Sequence, residues 1–167
     1  MNASAPPDPL HRAYLCLGSN IDPAENLRES ISLLGKQTRL LELSTCWESA
    51  AVGSDGPNFL NMGALVATPL DAASLKEQVL GPIEKALGRE RSADKYAPRT
   101  MDIDIIIFDG LVLDPEIWRR VYLALIFAEM LPSLTHPGSG TKLAEIAQRL
   151  PGRSTAIPHP ELVFIES

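Results

Sequence analysis

TRLLELSTCWESAAVGSDGPNFLNMGALVAT, residues 38–68, is a long strand-rich stretch, and its neighbours on either side decide the fold. Residues 38–52 read as strand, with Leu41, Leu43, Thr45 and Trp47 on one face by alternation. GSDGP (53–57) has turn chemistry, and FLNMGALVAT (59–68) is a second strand, so the two are expected to pair as antiparallel neighbours. Outward from this unit a helix is predicted on each side. Upstream, DPAENLRESISLLG (22–35) offers Asp22 as a cap, Pro23 at the first helical position and Glu25 to close a capping box. Leu27, Ile31 and Leu34 recur at helical spacing, and Gly35 is the predicted stop. Downstream, DAASLKEQVLGPIEKAL (71–87) reads as a helix that Gly81-Pro82 should kink.

Beyond each helix lies one more strand: RAYLCLG (12–18) and MDIDIIIF (101–108), the latter turning at Asp109-Gly110 into residues 111–113. The order β-α-β-β-α-β is the split βαβ arrangement of a ferredoxin-like α+β fold, an antiparallel sheet with helices expected on one face. Such a topology hosts many activities and fixes none. Residues 120–131 read as a strand or helix start feeding an apolar helix, 141–150 as a short amphipathic helix, and 151 onward as irregular.

A chain of 167 residues with 45% apolar and 22% charged content fits one domain with a substantial core. We expect a flexible tail over 1–11, a domain over 12–150 and a second tail over 151–167. The net charge of −6 argues against nucleic acid as a partner, so any phosphate must meet a local basic cluster. Cys16 and Cys46 each sit in an apolar segment without metal-ligand spacing. They read as buried thiols, which points to the reducing cytoplasm. The N-terminus lacks the pattern of a signal peptide, and no apolar run is long enough to span a membrane. Nothing in the sequence bears on oligomeric state.

Asp102 and Asp104 are the strongest chemical feature. Two apart on a strand, they point to one face with Cα atoms about 6.5 Å apart, while Met101, Ile103 and Ile105 take the other. Ile106 and Phe108 are expected to continue the aspartate face, which turns apolar within a residue or two. Unpartnered carboxylates there would be costly, whereas hard oxygen ligands at this spacing suit Mg²⁺, including two ions bridging a polyphosphate. The bland alternative is an edge strand with one wet face. Arg89, Arg91, Lys95 and Arg99 lie just upstream and offer guanidinium forks for phosphate; alternatively they form a solvated loop balancing Glu84, Glu90 and Asp94. No P-loop occurs. Asn20 and Asn61 taken alone read as a turn residue and a strand-end hydrogen bonder. His11, His136 and His159 are dispersed.

Taken together these segments resemble the 6-hydroxymethyl-dihydropterin pyrophosphokinases of folate biosynthesis, closely over 12–113 and loosely over 120–140. Leu17-Gly18-Ser19-Asn20 is similar to that family's opening turn, and Phe59-Leu60-Asn61 to its pterin motif of a stacking aromatic and a reading asparagine. Ile83-Glu84, Gly88-Arg89 and Arg91 resemble its ATP-contacting helix end and loop. Pro98-Arg99-Thr100-Met101-Asp102-Ile103-Asp104 matches its most diagnostic string. The resemblance implies transfer of pyrophosphate from Mg-ATP to the pterin's hydroxymethyl oxygen, with AMP leaving. It implies two Mg²⁺ on Asp102 and Asp104, and catalytic charge neutralisation by Arg89 and Arg99. It further implies ATP contacts from Glu84, Arg89, Arg91, Tyr96, Arg99, Ile105 and Arg120, and pterin contacts from Gly18, Ser49, Ala50, Val52, Phe59, Asn61 and Tyr122.

The chain departs from the pattern at Tyr96-Ala97 (usually Trp-Gly), at Gly81 (usually Gln) and at Ser49-Ala50-Ala51-Val52, where prolines are usual. A Pro-His segment expected after the hairpin is missing, with Pro115-Glu116-Ile117-Trp118 running straight into Arg119-Arg120-Val121-Tyr122. Ile157-Pro158-His159-Pro160 resembles that segment but lies far along the chain. Three readings follow: an active enzyme, a relative shifted to another pterin, and an impaired paralogue that binds without turnover.

Overall fold

A computed structural model describes residues 9–51, 56–88 and 101–164. Its centre is β1 (His11–Ser19), whose residues 15–19 are all buried. β1 pairs along its whole length with β4 (Phe59–Thr68), antiparallel, and on its other edge with β5 (Asp102–Phe108). The expected partner of β4 proves to be two strands, β2 (Arg39–Leu43) and β3 (Cys46–Ser49), both antiparallel to it. A bulge between Leu40 and Glu42 breaks the alternation expected over 38–52. Leu40 and Leu43 therefore face the core, and Leu41 is exposed.

The break between β2 and β3 is bonded in place. Ser44 donates its N–H to the Gly63 carbonyl at 2.9 Å, its Oγ accepts from the Gly63 N–H at 2.7 Å, and Thr45 N–H donates to Glu129 at 2.7 Å.

α1 (Pro23–Gln37) buries Leu27, Ile31 and Leu34 as the periodicity predicts. Its ends differ from expectation. Asp22 precedes the helix in the left-handed region, φ 41°, and makes no side-chain cap; Asn26 instead donates to the Ile21 carbonyl at 2.6 Å. The helix runs through Gly35, because an interior glycine costs only about 1 kcal/mol and Thr38 closes the end by donating its hydroxyl to the Leu34 carbonyl at 2.8 Å.

The second helical segment is α2 (Ala72–Leu75), a π turn (Lys76–Leu80) and α3 (Gly81–Ala86). Asp71 caps it by accepting the Ser74 N–H at 2.7 Å. Pro82 falls in the first turn of α3, after the Gly81 N–H has bonded five residues back to Lys76, so the wide turn absorbs the proline expected to kink a regular helix.

β5 ends at Asp109 and Gly110, both left-handed at φ 47° and 82°, and returns as β6 (Leu111–Val112). This is the hairpin predicted from the Asp-Gly pair. The Asp109 carboxylate also accepts from the Arg12 N–H at 2.9 Å and bonds His11 at 2.5 Å. A register shift between Tyr14 and Leu15 along β1–β5 keeps Ile106 on the aspartate face but sends Phe108 to the opposite one, against expectation.

The chain continues as α4 (Val121–Met130) and α5 (Leu143–Arg149). Helices cover both faces of the sheet, which corrects the one-face expectation: α1 to α3 lie over Ala13, Leu15, Leu17, Met101 and Ile103, whereas α4 and α5 lie over Cys16, Leu65 and Ile106. Both faces are apolar, so each must be covered.

The segment after Pro151, expected to be irregular, forms a 3₁₀ turn (Arg153–Thr155) and an edge strand, β7 (Ile157–His159), on β3. The sheet order is β6-β5-β1-β4-β3-β7, with β2 also on β4. Among the described residues no helix is long and apolar enough to cross a membrane.

Candidate active site

The registers align Asp102 with Gly18, Gly18 with Asn61, and Asn61 with Trp47. Directly paired residues share a face, so these four form one row of about 14 Å across β5, β1, β4 and β3. Asp104 pairs with Cys16 on the same face, one step deeper. Asp102 is half-buried and Asp104 exposed, while Ile106 is buried beneath them. The carboxylates therefore stand at the rim where an apolar surface opens to solvent. Cys16 is buried behind them, and its thiol is pushed well up, first by burial and then by Asp104 and Asp102, so it stays protonated. Both cysteines are free and buried as expected.

The turn into α4 carries two further residues of the expected site, Arg120 and Tyr122. Arg120 donates its Nε–H to Glu116 at 3.2 Å. The Tyr122 hydroxyl is pushed up to about 12, first by burial, then by the neighbouring Cys16 and in smaller part by the charge on Asp104.

The other half of the row is a polar pocket floor. A Cβ built on Gly18 would lie 2.9 Å from Asn61 Oδ1 and 3.9 Å from the Phe59 ring, so glycine is what lets the asparagine seat there. Asn61, 4% exposed, donates its amide to Ser49 Oγ at 2.9 Å. Asn20 reaches across from the β1 turn and donates to the Pro57 carbonyl at 3.2 Å, which fixes the approach to β4. Ala50 follows Ser49 and is exposed.

Two expected ATP contacts lie on the α1 to α3 side of β5. Glu84 on α3 is buried behind β5 and accepts from the Ile103 N–H at 3.4 Å, and Ile105 packs with the α1-side core. Glu84 also borders an open groove lined by Lys76, Gly81, Pro82 and Lys85. Arg89, Arg91, Tyr96, Arg99 and Val52 lie outside the described residues.

Sequence reasoning missed Trp47, whose indole Nε1 is the buried side-chain polar atom without a hydrogen-bond partner among the described residues. Arg153 stands over its ring at 5.6 Å. Alternation from Ser49 could have placed Trp47 on the site face. His159 returns to the sheet, but opposite Cys46, a residue of the α1-side core. It therefore lies on the other face from Asp102, with three strands between β7 and β5. It does not take the place of the missing histidine.

Two carboxylates at a rim and a polar floor bordered by Phe59, on a ferredoxin-like sheet, form the described part of the candidate site. The sequence profile of the 7,8-dihydro-6-hydroxymethylpterin-pyrophosphokinase family matches residues 14–163. The chain is 31% identical over 163 residues to the 2-amino-4-hydroxy-6-hydroxymethyldihydropteridine pyrophosphokinase of Pseudomonas aeruginosa, covering 86% of this chain and 99% of that protein. It is 33% identical over 130 residues to the Bacillus subtilis enzyme of that name, covering 71% and 77%. Among solved structures it resembles the HPPK-DHPS protein of Plasmodium falciparum, with a TM-score of 0.66 at 12% identity, covering 84% of this chain and 41% of that one. That likeness concerns the fold alone. The chain belongs to the 7,8-dihydro-6-hydroxymethylpterin-pyrophosphokinase family. It is an ATP-dependent pyrophosphokinase of folate biosynthesis, with ATP and a hydroxymethyl-dihydropterin as its substrates.

Proposed function

We propose that the rim and floor just described carry out the family's reaction on 6-hydroxymethyl-7,8-dihydropterin. The observation that carries this assignment is the row Asp102–Gly18–Asn61, which sets a carboxylate two strands, about 10 Å, from the pterin-reading amide. A flat bicyclic ring seated on Phe59, Asn61 and Ser49 would then extend its hydroxymethyl arm toward the aspartates. Tyr122 would close the other side of the ring, and Gly18, Ala50 and Val52 would complete its surroundings.

The hydroxymethyl oxygen attacks the β-phosphorus of ATP. The bond from that phosphorus to the α-bridging oxygen breaks, AMP leaves, and the hydroxyl proton passes to solvent. Asp102 and Asp104 fit Mg²⁺, which takes one or two carboxylates and fills the rest of its shell with phosphate oxygen and water. Two such ions, when bound, neutralise developing charge on the phosphates. Asp102 and Asp104 hold and orient the polyphosphate end, and Arg120 adds positive charge on the nucleotide side. Arg89 and Arg99 supply guanidinium forks as the bond breaks, and Arg91, Tyr96, Glu84 and Ile105 serve the nucleotide side. No side-chain nucleophile is needed, because phosphoryl transfer depends on positioning and charge. The two free, buried thiols favour a cytoplasmic setting.

AMP release from ATP, Mg²⁺ and hydroxymethyl-dihydropterin tests the assignment. Asp102→Ala or Asp104→Ala should lower kcat by about 10²–10³ while leaving the thermal transition in place. Turnover within a few-fold of wild type in either variant would remove the metal role.

A further inference from the structure

The strand that returns to the sheet after Pro151 brings with it a histidine that the reaction above does not use. β7 pairs with β3 in a register that sets His159 opposite Cys46 and diagonal to Glu48 on the same face. His159 Nε2 lies 3.0 Å from Glu48 Oε1, and His159 Nδ1 lies 2.7 Å from Glu161 Oε1. A ring with a carboxylate on each nitrogen must donate twice, which is the geometry of imidazolium. The second oxygen of Glu48 is also taken: Asn58 Nδ2 donates to Oε2 at 3.0 Å. Asn58 immediately precedes Phe59 at the start of β4, and Glu48 immediately precedes Ser49 at the end of β3. The chain His159–Glu48–Asn58 therefore ties the two strand ends that carry Ser49, Phe59 and Asn61, from the face opposite the site.

We propose that His159 is a positioning residue for the pterin site: acting through Glu48, it fixes Asn58 and with it the strand ends that present Phe59, Asn61 and Ser49. This rests on the pterin reading of those three residues. His159 lies on the sheet face opposite Ser49, Phe59 and Asn61. Its carboxylate partners orient it, and it holds the Glu48 carboxylate so that the second oxygen stays aimed at Asn58. The titratable groups facing it are Glu48 and the buried thiol of Cys46 from β3, and Glu161 from its own segment.

Hydrogen bonds to Glu161 and Glu48 raise the His159 pKa above its ordinary value, and burial opposes them. For a group raised in the folded state, the contribution is full at low pH and is lost as pH rises through the folded pKa. Pterin affinity should accordingly decline on the alkaline side of the usual histidine range.

Titration calorimetry of the full chain with hydroxymethyl-dihydropterin in the presence of a non-hydrolysable ATP analogue tests this, alongside the analogue alone. His159→Ala should weaken pterin binding about 3- to 10-fold, leave analogue binding within twofold and shift the NMR signals of the Asn58 side-chain amide. His159→Gln, which retains one N–H donor for Glu48, should restore most of the affinity and flatten its pH dependence. Equal pterin affinity in wild type and His159→Ala would overturn the relay. So would a parallel loss of both affinities with a lowered Tm in both variants. If wild type itself binds no pterin, the reading of Phe59, Asn61 and Ser49 fails, and the positioning role falls with it.

Discussion

Gly18→Ala isolates the asparagine proposed to read the pterin. The backbone at Gly18 is ordinary extended strand, so alanine meets no φ penalty. What it meets is Asn61 Oδ1 at 2.9 Å, where relaxed contacts begin near 3.5 Å. The amide must move by roughly half an ångström, and its bond to Ser49, 2.9 Å at present, stretches past useful length or breaks. Losing one neutral hydrogen bond and its alignment with the ligand costs about 0.5–1.5 kcal/mol, or roughly 2- to 12-fold in pterin affinity. Overpacking by one methyl costs about 1–3 kcal/mol of stability, offset by about 0.4–1 kcal/mol from the stiffer unfolded chain. The expected result is a Tm lowered by only a few degrees, a pterin Kd raised several-fold, and ATP-analogue binding unchanged. Pterin affinity within 1.5-fold of wild type would refute the placement of Asn61 under the ligand. A drop in both affinities together would show that the methyl acts on the sheet and not on the amide.

Gly63→Ala probes a different close approach. A Cβ there would sit 2.7 Å from both Ile126 Cγ2 and Met130 Sδ of α4, so urea denaturation should show a loss of about 1–3 kcal/mol with the m-value unchanged. An unaltered midpoint would mean that α4 rides further from β4 than the structure places it. At Tyr122, Phe should keep pterin affinity within about twofold, because the ring supplies the proposed contact. Ala should weaken it by about 0.5–1.5 kcal/mol or more. Calorimetry in which Phe is as damaging as Ala would move the role of Tyr122 from its ring to its hydroxyl.

What the sequence revealed and what it hid divide along a physical line. Local chemistry was legible: the Asp-Gly turn, the α1 periodicity, the buried cysteines, and the same-face pair Asp102 and Asp104 all depend on residues close in the chain. Alternation failed at both bulges, where one added residue in β2 or β5 swaps the faces of everything after it. That is why Leu41 is exposed and Phe108 joins the α1-side core. The second helical layer was hidden for another reason: no local pattern says which face of the sheet the helices expected after residue 120 would cover. Ile106 and Cys16 beneath the aspartates require a cover that only α4 and α5 can provide, so the site is a rim and not an open strand face.

The same limit explains the C-terminal strand. IPH is too short and too interrupted by proline to read as strand on its own, since proline suits only an edge position in a sheet. It holds because β3 is otherwise the sheet's edge and because His159 reaches Glu48, a pairing across 111 residues that no local pattern contains. Glu48 in turn commits its second oxygen to Asn58, so one carboxylate joins the last strand, β7, to the strand ends that carry Ser49, Phe59 and Asn61. The chain beyond residue 150 thereby adds an order to those strand ends that 12–150 alone does not contain.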